Sequence, residues 1–250
     1  MKKTQICENS RNNAIFHFFS YMVRFYVMKQ RVRKKLLNIY DLLLNHFGPQ
    51  HWWPGDTQLE ICVGAILTQN TAWSNVEKAI SNLKKEKYLD QNRLEKVGIK
   101  KLASLIKSAG YFNIKAKRLK SFVDYFSNHH KGNFDSLFDG KSGDVRDSLL
   151  SIYGIGPETA DSFMLYAGGI PVFVVDAYTR RIFFRLKMIE ERLIYDEVQS
   201  YFMNNLPCDK GLFNEYHALI VMLGKNYCKP KPNCGLCPLK RCPSRETKKS

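Results

Sequence analysis

The stretch LLSIYGIGPETADSFMLYAGGIPVFVVDAYTRRI, residues 149–182, decides the fold. It sets Gly154 and Gly156 between two apolar, helix-patterned runs, then adds a short apolar connector that ends at Asp176. Glycines let a backbone turn sharply and approach a partner closely, because no Cβ intervenes. Pro157 suits the first position of a helix, and Glu158 sits favourably at that helix's positive end. The pattern reads as a helix-hairpin-helix whose outward-pointing amides make a phosphate site without any side chain. Gly-x-Gly alone suits an ordinary helical hairpin equally well. The context tilts the reading: Asp176 precedes AYTRRIFFRL, where it serves as N-cap and also fixes a carboxylate beside the hairpin.

Working outward, almost every periodic segment reads as helix. RVRKKLLNIYDLLLNHFG repeats apolar residues at three and four and stops at Gly48, and TQLEICVGAIL opens with Thr57 and Glu60 in capping-box spacing. TAWSNVEKAISNL, IKKLASLIKSAG, IKAKRLKSFVDYF, GDVRDSLLSIY and PETADSFMLYAG follow, separated by short Gly, Asn or Pro punctuation. The expected fold class is all-α, with IPVFVVD an extended connector between helices. Residues 1–27 mix polar and aromatic side chains in no clear period before Met28. They read either as an N-terminal extension or as sequence upstream of a start at Met28, and no function is built on them.

A formal charge of +16 on 250 residues calls for a polyanionic partner, nucleic acid first and an anionic membrane surface second. The membrane is disfavoured: AIFHFFSYMVRFYVM is short for a span, is interrupted by His17 and Arg24, and has no small-residue cleavage site after it. The expectation is an intracellular, cytoplasmic protein with no membrane partner. An apolar content of 44% supplies a core for one large or two small domains. Seven cysteines in such a chain point to metal ligation rather than disulfides. Cys7, Cys62 and Cys208 are scattered, whereas Cys228, Cys234, Cys237 and Cys242 lie within fifteen residues. Four thiolates at that spacing suit zinc or an iron–sulfur cluster.

Four stretches together, LTQNTAWSNVEKA, GYFNIKAKRLK, YGIGPETADS with VVDAYTRRI, and the terminal cysteines, resemble the helix-hairpin-helix DNA glycosylases typified by endonuclease III. The resemblance runs in order from about residue 52 to 242. It implies two helical domains with a DNA cleft between them: a six-helix domain with the hairpin over residues 52–170, and a second domain joining 28–51 to 171–250. It also implies a structural 4Fe-4S cluster on Cys228, Cys234, Cys237 and Cys242, the first and last gaps each one residue shorter than in endonuclease III. From Lys225 onward there are eight Lys or Arg and one acid, with Lys240 and Arg241 inside the last cysteine loop. The implied partner is double-stranded DNA containing a damaged base, bound by a monomer. Gly154, Gly156, Lys115, Lys240 and Arg241 are the expected phosphate contacts.

Bifunctional members of that family carry a lysine where this chain has Glu158. A carboxylate cannot form an imine, so the resemblance implies a monofunctional N-glycosylase that uses water, with Asp176 as the catalytic carboxylate. Its charge would stabilise the oxocarbenium that forms as the glycosidic bond breaks. Gln69 is similar to the residue that enters the vacated base stack. Trp53 and Trp73, with Trp52 beside them, are expected to sandwich the extruded base, although Trp73 also heads the stripe Val76, Ala79, Ile80, Leu83 and could be plain core. Aromatic faces favour a cationic base such as 3-methyladenine. WWP, GAILTQNT and GPETADS also resemble the endonuclease III-related 3-methyladenine glycosylase branch. Lys225 reads as a phosphate contact or a surface lysine. Two alternatives stand: an oxidised-pyrimidine glycosylase and AP lyase using another amine, and a non-catalytic DNA-binding module. Asp176 argues against the second, because binding phosphates needs no carboxylate.

Overall fold

The computed structural model describes residues 4–246, with side chains over residues 26–245. Among the described residues there is no β-strand. The chain opens with α1 (Thr4–Phe47), followed by α2 (Gln58–Thr68), α3 (Trp73–Lys85), α4 (Gln91–Lys96), α5 (Ile99–Leu105), a 3₁₀ turn (Lys107–Ala109) and α6 (Phe112–His130). Next come α7 (Phe134–Leu137), α8 (Ser142–Leu150), α9 (Pro157–Ser162) and a π turn (Phe163–Ala167). The chain continues through α10 (Ala177–Arg185), α11 (Tyr195–Met203), α12 (Lys210–Asn226) and α13 (Pro243–Glu246).

α2 is apolar nearly all round, and a helix of that kind belongs in the middle of its lobe. Cys62, Val63, Ile66 and Leu67 have no exposed surface, and Thr57 caps the helix by accepting the Glu60 N–H at 3.1 Å. Around α2 pack α3, α6 and the π turn. Phe122 and Phe126, one helical turn apart on α6, stack at 5.7 Å, and Phe122 meets Phe163 edge-on at 4.9 Å. The connector 170–176 carries no helix or strand and buries Phe173, Val174 and Val175. Phe173 extends the core into an aromatic group, stacking on Phe202 at 4.1 Å and meeting Phe213 and Tyr216 edge-on. The Tyr216 hydroxyl donates to Leu36 O at 2.8 Å and ties α12 to α1. α10 and α12 pack closely because residue 224 is glycine; a Cβ there would lie 2.2 Å from the Tyr178 ring.

Three expectations need correction. The helix read over RVRKKLLNIYDLLLNHFG begins at Thr4, so much of residues 1–27, which show no clear period, is helical backbone. PETADSFMLYAG is not one α-helix: it changes at Phe163 to a π turn in which the Gly168 N–H reaches Phe163 O at 2.9 Å. Finally, α4, α7, α11 and α12 were not among the helices read from periodicity, and α12 carries part of the site.

Candidate active site

The hairpin between α8 and α9 turns at Gly154, whose φ of +85° and lack of Cβ are both required: a Cβ would stand 2.2 Å from Arg118 Cγ. Ile155 is buried and pegs the turn, while Gly156 caps α9 and its Cβ position faces open space. The Gly156 and Glu158 amides have no partner within the described protein, which leaves them to face solvent. Beneath the turn, fully buried Asp161 accepts both arms of Arg146 at 2.8 and 3.2 Å. Gln199 on α11 donates to the same carboxylate at 2.7 Å and to Phe173 O at 2.8 Å. This buried network fixes the hairpin against α11 and the connector that delivers Asp176.

Asp176 caps α10 as the sequence predicts. Its Oδ1 accepts the Thr179 N–H at 2.7 Å and the Thr179 hydroxyl at 2.9 Å. Oδ2 lies 3.6 Å from His217 Nε2, too long for a hydrogen bond and close enough for an electrostatic contact. Burial works against the charge on this carboxylate, but His217 and the two Thr179 donors outweigh it and hold its pKa below the ordinary value. Glu158 is the opposite case. It sits in the first turn of α9, exposed to solvent and within electrostatic range of Asp176 and His217. Lost hydration and the Asp176 charge raise its pKa to about 7, with His217 opposing. No described side chain donates to its carboxyl.

The aromatic residues lie next to these carboxyls. Trp52, Trp53 and Trp73 form a mutually contacting cluster, with centroids 5.2 to 5.7 Å apart. Trp53 continues onto Tyr166 of the π turn at 5.2 Å, and the Tyr166 hydroxyl stands 2.5 Å from His217 Nδ1. Burial, then the Asp176 and Glu158 charges, push the Tyr166 pKa well up, so its hydroxyl stays neutral. At the far side the Lys225 ammonium sits 5.9 Å over the Trp52 ring. The expected sandwich between Trp53 and Trp73 is corrected: they meet edge to face at 88°, whereas a base between parallel rings needs planes about 7 Å apart. The stripe below Trp73 is core, with Val76, Ala79, Ile80 and Leu83 buried, while Trp73 itself is half-buried and donates to Glu77 at 2.8 Å.

Gln69 caps the C-terminus of α2 and is laced to the hairpin. Its amide donates to Gly154 O and Thr159 Oγ1, both at 3.0 Å, and its Oε1 accepts from Arg118. Asn70, exposed and with φ +52°, forms the tip beside it. Lys115 is not available to phosphates, contrary to expectation. It is 1% exposed, and its three protons go to Leu67 O, Thr71 Oγ1 and Ala109 O at 2.6 to 2.8 Å. Lost hydration and then the Arg118 charge lower its pKa to about 8. It is a buried clamp on the end of α2. Lys240 and Arg241 are exposed, as a phosphate contact requires.

Cys228, Cys234, Cys237 and Cys242 line one cavity of about 250 Å³ with Ile182, Leu223 and Leu239. Among the described residues no three His, Cys, Asp or Glu side chains converge closely enough to hold a single metal ion. Four thiols lining one cavity set metal-ligating groups around a common space. α10 fastens this loop: Arg181 donates to Cys228 O at 2.8 Å, and Arg185 to Lys229 O at 2.7 Å and Cys228 Sγ at 3.3 Å. His217, Tyr166 and Arg118 are the site residues that sequence reasoning missed.

Residues 63–208 match the family model described as HhH-GPD superfamily base excision DNA repair protein. A Methanocaldococcus jannaschii protein, provisionally named DNA repair glycosylase MJ1434, is 46% identical over 215 residues, or 85% of this chain and 97% of that one. Among solved structures, a trapped endonuclease III–DNA covalent intermediate is similar with a TM-score of 0.74 at 22% identity, over 86% of this chain and 97% of the other, a likeness of fold. The H. pylori 3-methyladenine DNA glycosylase MagIII bound to 1,N6-ethenoadenine is similar at 28% identity and a TM-score of 0.63, over 79% and 97% of the two chains.

Proposed function

The chain belongs to the HhH-GPD superfamily of base excision DNA repair proteins and is a DNA glycosylase, and from that premise we propose a monofunctional enzyme that releases alkylated purines of the 3-methyladenine type. One juxtaposition carries this reading: a tryptophan cluster that already holds an ammonium over one face lies beside a clasped carboxylate, and position 158 offers no amine. The likeness to a 3-methyladenine glycosylase supports it.

In the proposed reaction the C1′–N bond breaks and its electron pair leaves with the base, which in an alkylated purine is already cationic and needs no proton. Asp176 faces the positive charge left on the sugar. Water adds at C1′ and gives its proton to the carboxylate or to solvent. Trp52 presents the face on which a cationic base would replace the Lys225 ammonium. Double-stranded DNA would lie across the hairpin amides at Gly154 and Gly156 and the basic loop of Lys240 and Arg241. Gln69 would release the hairpin to fill the vacated stack. Cys228, Cys234, Cys237 and Cys242 would hold a 4Fe-4S cluster, which supplies a rigid scaffold for that loop and no step of the base excision. We read the enzyme as an intracellular monomer.

Duplexes carrying one lesion each, a 3-methyladenine analogue or an oxidised pyrimidine, test this with and without alkaline work-up. Breakage of the alkylated duplex only after alkali is expected. Breakage of the pyrimidine duplex without alkali would favour a strand-cleaving enzyme. Lys225, whose pKa is lowered chiefly by lost hydration, would then be the amine to trap with borohydride.

A further inference from the structure

We propose that His217 is a positioning residue that holds the free oxygen of Asp176, and that Tyr166 links it to the aromatic wall facing the base. The inference rests on the reading of Asp176 as the carboxylate at the reacting sugar. Its basis is an unbroken path of short distances: Trp53 to Tyr166 at 5.2 Å, Tyr166 Oη to His217 Nδ1 at 2.5 Å, and His217 Nε2 to Asp176 Oδ2 at 3.6 Å. His217 is 5% and Asp176 8% exposed, so little water competes along the buried end.

The tautomer follows from the partners. A neutral imidazole with its lone pair on Nε2 would face a carboxylate lone pair, which is repulsive. The Asp176 carboxylate therefore selects the Nε2–H form, and the Tyr166 hydroxyl donates to Nδ1. His217 Nε2 is nevertheless a buried atom without a hydrogen-bond partner. Buried orphan donors are costly and rare. Trp52 Nε1 and Trp53 Nε1 are orphaned in the same way within the same aromatic cluster. A shift of about 0.6 Å would bring His217 Nε2 within hydrogen-bond reach of Oδ2. Asp176 would then be clasped at both oxygens, Thr179 on one and His217 on the other.

Asp176 is also faced by Glu158, Lys225 and Tyr166, and Glu158 adds its own titration to every variant. Without the His217 donor, burial acts on Asp176 with Thr179 and the Lys225 charge left to oppose it, so its proton affinity rises. The test is the single-turnover rate against pH on a saturating 3-methyladenine-analogue duplex for the wild type, His217→Leu, His217→Gln, Tyr166→Phe and Asp176→Asn, each checked for folding by thermal melting. His217→Leu is expected to lose about 100-fold and to move the acid limb up by about one pH unit. His217→Gln, which keeps an N–H donor at the same reach, should stay within about tenfold of wild type with its limb unmoved, and Tyr166→Phe should shift the limb in the same direction as Leu but less. Equal losses in Leu and Gln with no limb shift would reduce His217 to packing and overturn the proposal. If the Leu variant does not fold, the Tyr166→Phe limb decides alone. An inactive Asp176→Asn beside an unaffected His217→Leu would sink this inference and spare the proposed function, whereas an active Asp176→Asn would sink both.

Discussion

Two helices start side by side at the site, and each begins with a carboxyl group, yet the two groups are held in opposite ways. At α10 the carboxylate is the cap itself: Asp176 accepts two hydrogen bonds from Thr179 and keeps its charge despite burial. At α9 the cap is Gly156, and Glu158 two residues on accepts from no described side chain, with its pKa raised to about 7 by lost hydration and the Asp176 charge. The α10 start is a group whose preferred state is charged and fixed. The α9 start is a group at the edge of ionisation with no described side chain donating to it. Local donors, rather than residue type or proximity to a helix dipole, separate them. Two neighbouring carboxyls pushed apart in this way differ at neutral pH, one favouring its charged form and the other able to hold a proton.

Removing the charge at α10 should have the largest effect. Asp176→Asn keeps the cap's shape and is expected to cut the single-turnover rate by about 1,000-fold or more while lesion-duplex affinity stays within a few-fold. A variant that kept most of its rate would dissolve the distinction between the two helix starts. Thr179→Val sharpens it at smaller cost. Thr179 has no exposed surface, and valine fills the space while deleting only the hydroxyl bond to Oδ1, 2.9 Å long. A loss of about tenfold, with the acid limb moved upward because one donor to the charged form is gone, is the expected outcome. An unchanged pH profile would mean the amide alone sets the carboxylate's charge.

Legibility in the sequence followed the range over which each feature is decided. The hairpin, the Asp176 cap and the cysteine spacing are settled within a few residues of themselves, so Gly154, Gly156 and the four thiols stood out at once. The all-helical class was equally local, though the π turn at Phe163 was not, because nothing in SFMLYAG distinguishes it from ordinary helix. Lys115 shows where local reading fails. GYFNIKAKRLK looks like a basic face, yet the partners that bury Lys115 include Leu67 O, 48 residues away. His217 failed for a different reason: it lies among Phe213, Tyr216 and Ile220 on an apolar helix, where a lone histidine looks like filler. The available signal was that a buried imidazole needs a partner, and its partner Tyr166 is 51 residues distant. The tryptophans were identifiable as a group, but their edge-to-face packing depends on three backbones at once.

The finest test falls on Glu158 at the α9 start. Its pKa is raised from 4.5 to about 7, so across that window the folded chain keeps a proton that the unfolded chain has released. The resulting stability is fully present below 4.5 and lost as pH rises through about 7, and the group's openness to solvent keeps it small. Glu158→Gln should therefore gain on the wild type in Tm as pH rises from about 4.5 to about 7, by roughly a few degrees at most, and hold that gain above neutrality. Parallel melting curves at every pH would make Glu158 an ordinary surface acid and end the comparison. The rate carries a sign of its own. On a cationic base, ionising Glu158 sets a second negative charge beside the developing oxocarbenium, so the saturated wild-type rate should rise through about pH 7 and the glutamine variant should run flat. A wild-type rate that falls through the same pH would instead mean that the protonated carboxyl is used, with Glu158 giving its proton to a neutral leaving base.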